Sequence, residues 1–229
     1  MFADSDDQLD DLFAISDDEL MNLVIETAAL KALLRMPKDD AEGLRAKLKT
    51  FAANPYGPHA WAKAFGGGRG RIRHGDWRAV FEIDGPALVI TVLKVGNRER
   101  GLPMNALPIR PIAETADSVT LSRADFETLA ELVSDAQDLT DADAVKARLA
   151  AGETETFPFA VAERLLDGEH PVTVLREHRA FTVRGLAEVA GVSPSYLSEI
   201  ESGKKPGSFD AMARVAAALE VPLDLLVRA

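Results

Sequence analysis

The stretch Thr182-Val183-Arg184-Gly185-Leu186-Ala187-Glu188-Val189-Ala190-Gly191-Val192-Ser193-Pro194-Ser195-Tyr196-Leu197-Ser198-Glu199-Ile200 decides the fold of the C-terminal quarter of this chain. Leu186, Ala187 and Ala190 recur at helical spacing, and after a break Leu197 and Ile200 do so again. Thr182 and Ser193 stand where an N-cap side chain accepts from a helix's first free N–H groups. Two short helices that cross steeply need a small residue where they touch, which Ala187 provides. They also need a turn residue that tolerates positive φ, which Gly191 provides.

Outward from this pair, Val172–His178 predicts a preceding helix, Ser208 caps one over Phe209–Leu219, and a last helix follows Pro222. The residues Leu175–Arg176, Thr182, Leu186–Ala187, Gly191–Val192–Ser193 and Leu197 to Lys204 resemble the Cro/repressor (Xre) helix-turn-helix family over roughly residues 171–228. The resemblance implies that the helix Pro194–Ser202 enters the DNA major groove, with Pro194, Ser195, Tyr196 and Glu199 toward base edges. Glu199 would accept from a cytosine amino group. Thr182, Arg184, Ser193 and Ser198 complete the candidate DNA-binding set, and Lys204 and Lys205 would contact phosphates. Arg176 and Glu201 occupy positions that form an internal ion pair in this family. Val183 departs from the pattern, because the family places a phosphate-holding glutamine there.

The chain has 229 residues, enough for two domains, and a globular composition with 47% hydrophobic residues. The absence of cysteine excludes disulfides and thiolate metal sites and suits a reducing cytoplasm. No apolar run approaches the roughly 18 residues of a membrane span, and an acidic N-terminus is the opposite of a signal peptide's basic start. Net charge is −11, yet it is strongly patterned. Residues 1–23 carry eight acidic side chains and no basic one; residues 24–113 carry fifteen Lys/Arg against eight Asp/Glu. Residues 114–170 carry four basic against fourteen acidic, and residues 171–229 carry seven of each. A basic block between two acidic ones predicts a chain that partly neutralises itself. A neutral C-terminal domain predicts modest DNA affinity alone and a need for dimerisation, since phosphate neutralisation supplies much of the binding free energy.

The basic block reads as a strand over residues 21–26, helices Thr27–Met36 and Lys38–Ala53, and three strands, Arg69–His74, Trp77–Ile83 and Leu88–Val95. The pairs Gly75–Asp76 and Asp84–Gly85 are hairpin turns. Gly66–Gly67–Gly68 is not a phosphate loop, because no Gly-Lys-Ser/Thr follows and no strand leads into it; it opens a hairpin.

This β-α-α-β-β-β order and the string Arg71–Ile72–Arg73–His74–Gly75–Asp76–Trp77–Arg78–Ala79–Val80–Phe81, with a last strand ending Leu93–Lys94–Val95–Gly96–Asn97–Arg98, resemble the RelE/ParE toxin superfamily over about residues 22–102. The resemblance leaves function divided: RelE-like members cleave mRNA in the ribosome, and ParE-like members bind gyrase and cleave nothing. Cleavage needs a base, charge stabilisation at phosphorus and a proton for the leaving oxygen. Arg71, Arg73, Arg78, Lys94 and Arg98 form a candidate catalytic set for the second role. The usual C-terminal tyrosine is missing, since Tyr56 and Tyr196 lie elsewhere and His74 is the nearby imidazole.

In residues 114–170, Ser122 caps a helix over Arg123–Asp135 with the stripe Phe126, Leu129, Leu132 and Val133, a second helix follows Asp141, and a third covers Ala160–Leu166. This segment resembles the acidic, toxin-wrapping or dimer-forming part of helix-turn-helix antitoxins; a plain inter-domain spacer is the alternative. The first twenty residues mix eight carboxylates with Leu9, Leu12, Phe13 and Ile15, and form either a tail or a segment docked on the basic domain.

The expected class is α+β: residues 1–20 an acidic tail, 21–113 an antiparallel sheet with a helical hairpin, 114–170 an acidic helical linker, and 171–229 an all-α helix-turn-helix bundle. Expected partners are operator DNA and a second copy of the chain, with ribosome and mRNA or gyrase open through the toxin-like domain; no cofactor or metal is expected. The leading expectation is a transcriptional repressor of a fused toxin–antitoxin pair, its toxin half inactive or neutralised in cis. The alternatives are a conditional endoribonuclease, a gyrase inhibitor and a sensor domain.

Overall fold

In a computed structural model, residues 23–84, 89–97 and 111–227 are described. Strand β1 (Leu23–Glu26) runs into helix α1 (Thr27–Leu34), and Pro37 separates α1 from α2 (Lys38–Ala53). Four strands follow: β2 (Ala62–Gly66), β3 (Arg69–His74), β4 (Trp77–Asp84) and β5 (Val89–Asn97). The sheet order is β2-β3-β4-β5-β1-β8, where β8 is Thr156–Pro158.

Three features differ from the sequence expectation. Ala62–Gly66 forms a strand before the glycines, so Gly66–Gly68 is the β2–β3 hairpin turn. The sheet is mixed rather than antiparallel, because β1 pairs in parallel with β5 (Leu23 with Ile90, Ile25 with Val92). The helical hairpin between β1 and β2 carries the chain back over the sheet, which permits a parallel neighbour. Lastly, Thr156–Pro158 supplies the sixth strand, antiparallel to β1 with Phe157 opposite Ile25.

The linker also differs. Arg123–Ala150 is one helix, α3, of 28 residues and about 42 Å, not two helices broken near Asp141. No glycine or proline interrupts it. The acidic run that looked like a break is turned toward cations of the sheet, which removes the repulsion that would otherwise oppose it. Before α3, β6 (Ala113–Glu114) and β7 (Val119–Thr120) make a small exposed hairpin.

Alternation along the strands gives the sheet two faces. Ile72, Ala79, Phe81 and Val92 pack with Leu30, Leu33, Leu44 and Leu48 of the helical hairpin. Val80 and Leu93 point the other way, onto Ala142, Val145 and Leu149 of α3.

After β8 come α4 (Phe159–Leu166), α5 (Pro171–His178), α6 (Val183–Ala190), α7 (Pro194–Glu201), α8 (Phe209–Leu219) and α9 (Leu223–Leu226). The C-terminal bundle stands as read. Thr182, Ser193 and Ser208 accept from the N–H groups of Gly185, Tyr196 and Ala211 at 3.0, 3.2 and 3.2 Å. Gly191 caps α6 at φ 63°, the conformation the turn demands.

Sheet and bundle share one hydrophobic core that runs from Leu23 to Leu226. Its joint is the segment 154–158. The Glu155 carbonyl accepts from the Thr27 N–H at 3.1 Å, while its carboxylate binds Arg179 at 2.6 and 2.7 Å. Phe157 is fully buried, with the Arg179 guanidinium 5.9 Å from its ring centroid and His178 at 5.6 Å.

Candidate functional site

Two surfaces carry the residues singled out by sequence. The first is the face of the sheet opposite the helical hairpin. Register places Arg71 beside Val80 and Arg73 beside Arg78 on β3 and β4, with Lys94 of β5 opposite Val80. All five side chains therefore leave the sheet on the α3 side, and the structure brings Arg71, Arg73, Arg78 and Lys94 together. Arg98 lies outside the described residues, as does the acidic N-terminal segment that could dock on this face.

Helix α3 covers this face with carboxylates. Glu131 binds Arg71 closely and Arg73 at 3.3 Å, and Asp135 meets the Arg71 Nε at 2.8 Å and Lys63 at 2.8 Å. Arg78 donates to the Ser134 hydroxyl and pairs with Asp138 at 3.3 Å. Lys94 reaches Asp138 at 3.3 Å and Asp141 at 2.5 Å, and Arg69 reaches Asp143 at 2.7 Å. Lys146 returns the pairing by reaching Glu82 at 2.6 Å.

Burial makes this array electrostatically tense. Desolvation, and next the charge of Arg71, push the Arg78 guanidinium below its ordinary value, against the pull of Asp138. Burial also opposes the charge on Glu131, but its hydrogen bond to Arg71 and the charges of Arg71, Arg73 and Lys63 outweigh that and hold its carboxyl below the usual range. The hydrogen bond from Lys94 does the same for Asp141.

Sequence reading missed Lys63, Arg69 and the identity of the covering groups. A signal was present: Glu131, Asp135 and Asp138 follow an i, i+4, i+7 spacing that puts them on one helix face. Reading a helix end at Asp135 hid it.

His74 does not belong to this face. A Cβ on Gly43 of α2 would lie 2.1 Å from the His74 ring, so the imidazole rests on the helical hairpin, across the sheet from the arginines. Among the described residues, the titratable groups paired on the arginine face are its own cations, Glu82, the α3 carboxylates and Lys146 of α3.

The second surface is α7 and its surroundings. Ser195 and Ser198 are exposed along it, with Pro194 and Ser193 at its start; Thr182, Arg184, Lys204 and Lys205 are exposed beside it. Two outward residues are engaged within the bundle. The Tyr196 hydroxyl accepts from the Ser208 N–H at 2.9 Å, fixing the start of α8 to α7. Glu199 pairs with Lys205 at 2.7 Å, which raises the lysine's pKa, and the Lys205 ammonium lies 5.6 Å from the Tyr196 ring centroid. Arg176 and Glu201 form the expected internal pair at 2.6 Å.

Residues 23–102 match the family model for the ParE toxin of the type II toxin–antitoxin system, parDE, and residues 172–229 match that of a helix-turn-helix domain. The chain joins a ParE-toxin-like domain to a helix-turn-helix domain. No curated protein and no solved structure matches it. The helix-turn-helix domain supports DNA binding, and the toxin-like domain sets it in a toxin–antitoxin context. Among the described residues no helix is long and apolar enough to cross a membrane.

Proposed function

We propose that the chain is a sequence-specific transcriptional repressor that acts in the cytoplasm as a homodimer and regulates its own promoter, with the basic face of its toxin-like domain neutralised in cis by α3. The observation that carries this reading is the ion-paired cover itself: the four described arginine and lysine residues read as a candidate catalytic set are each in contact with an α3 carboxylate. The position of His74 across the sheet supports a toxin-like domain without RNA-cleaving chemistry. The DNA contacts are assigned to Ser195, Ser198, Arg184 and Lys204, with Glu199 and Lys205 freed from each other as Lys205 meets a phosphate.

Footprinting on the chain's own upstream DNA tests the repressor. Two protected half-sites about one helical turn apart are expected, weakened in a Ser195→Ala/Lys204→Ala double variant. Parental binding by that variant overturns the recognition-helix assignment. A second reading, favoured by the ParE match, is that uncovering the face restores a gyrase-directed toxin. Growth arrest with DNA damage on expression of full-length Asp135→Asn/Asp138→Asn protein would establish it; arrest with mRNA cleavage would establish the ribonuclease instead.

A further inference from the structure

Resting on the reading of α3 as a cover, we infer that the face beneath it is a binding surface for the phosphodiester backbone of duplex DNA, and that α3 is its internal stand-in. Glu131, Asp135, Asp138, Asp141 and Asp143 fall within about 18 Å of helix, one carboxylate per roughly 4 Å. One strand of duplex DNA presents one negative charge per about 3.4 Å of axis. The helix thus offers the sheet nearly the linear charge density of a nucleic-acid strand.

The fit of α3 to the cations is incomplete. Arg78 is 4% exposed, yet its Nε and one terminal nitrogen reach no acceptor. A guanidinium presents five donors in a fork that phosphate oxygens can accept, and α3 leaves two of the Arg78 nitrogens for such an acceptor. Among the described residues, the apolar cluster between sheet and α3 sets Val80 and Leu93 against Ala142, Val145 and Leu149. Much of what a buried ion pair gains is offset by the desolvation of its charges, so an anion that offers the same cations equivalent contacts competes with the α3 carboxylates.

DNA is the favoured polyanion because the same chain carries a helix-turn-helix domain whose own net charge is zero. The two surfaces are built on one core, so a chain engaged at an operator through its bundle carries the second surface with it. The bundle packs on the helical-hairpin side of the sheet, through the pair of Arg45 with Glu163 and that of Lys31 with Asp224, and α3 on the opposite side. The two surfaces therefore engage separate stretches of DNA.

The test uses full-length protein carrying Glu131→Gln, Asp135→Asn, Asp138→Asn and Asp141→Asn, and a 20-bp fluorescent duplex without an operator. Anisotropy should show at least tenfold tighter binding than the parent at low salt. The slope of log K against log[salt] should steepen by about 0.9 for each cation released to a phosphate, roughly three to four in all. Adding Arg73→Ala and Lys94→Ala should remove most of the gain. If the quadruple variant does not fold by circular dichroism, the rim pair Asp141→Asn/Asp143→Asn should still steepen the slope by one to two charges' worth. A folded variant with parental affinity and slope overturns the inference, as does a larger gain for single-stranded RNA of the same sequence than for the duplex. Operator footprinting reports on α7 independently, so failure of the repressor reading and failure of this one leave different signatures.

Discussion

Arg78 and Asp138, 60 residues apart in the chain, face each other at 3.3 Å with side chains only 4% and 7% exposed. At that burial the pair belongs to the regime where removing one partner strands a charge, unlike surface bridges worth almost nothing. Asp138→Leu alone should cost about 3–5 kcal/mol, whereas Arg78→Met with Asp138→Leu should return most of it. Urea denaturation of the single and double variants checks this, and an additive double variant would refute the coupling.

Glu26 is buried at the head of α1, where it accepts from the Ala28 and Ala29 N–H groups at 2.6 and 3.2 Å and from the Thr154 hydroxyl at 2.5 Å. Glu26→Ala removes a cap and leaves a part-buried hydroxyl unpaired, for an expected loss of about 2–4 kcal/mol. Glu26→Gln keeps an acceptor and should lose less. Hydrogen exchange should report faster opening of β8 in the alanine variant.

Phe157→Ala empties a fully buried site between sheet and bundle, at an expected cost of about 3–5 kcal/mol. Because the core is continuous, both parts should melt in one transition, before and after the substitution. Two separate calorimetric transitions in the parent would show that the parts are independent.

Acid should loosen α3. Glu131 and Asp141 have folded pKa values below their unfolded ones, so their contribution is present above about pH 4 to 5 and is lost as pH falls through the folded values. Asp141→Asn should lower stability near neutrality and flatten this acid limb. His178 acts in a higher window: burial against Phe157, then the Arg179 charge, lowers its pKa. Its neutral form is favoured by folding, so stability should decline as pH drops below about 6.5, and His178→Phe should remove that decline.

Lys204 is exposed just past α7. Lys204→Ala should reduce the salt slope of operator binding by about 0.9 without changing which base pairs are preferred, whereas Ser195→Ala should relax preference with the slope unchanged. Salt titrations on matched and mismatched operators separate the two.

The sequence alone determined what depends on neighbours a few residues apart. The caps at Thr182, Ser193 and Ser208, the left-handed turn at Gly191 and the alternation along Arg69–His74 each satisfy backbone groups or pack a face within their own segment. The bundle and the three central strands were therefore legible, and so was the pairing of Arg176 with Glu201 through the family pattern. The tertiary structure decided what the arginines meet. A carboxylate run such as Asp135–Asp141 is a poor solitary helix and a good one against Arg71, Arg78 and Lys94, cations that lie 44 to 64 residues earlier. Likewise Thr156–Pro158, too short to register as a strand, becomes one because the free edge of β1 and a pocket for Phe157 await it. Contacts closed over such long loops carry no local signature, and whether the basic face is open or covered rests on them.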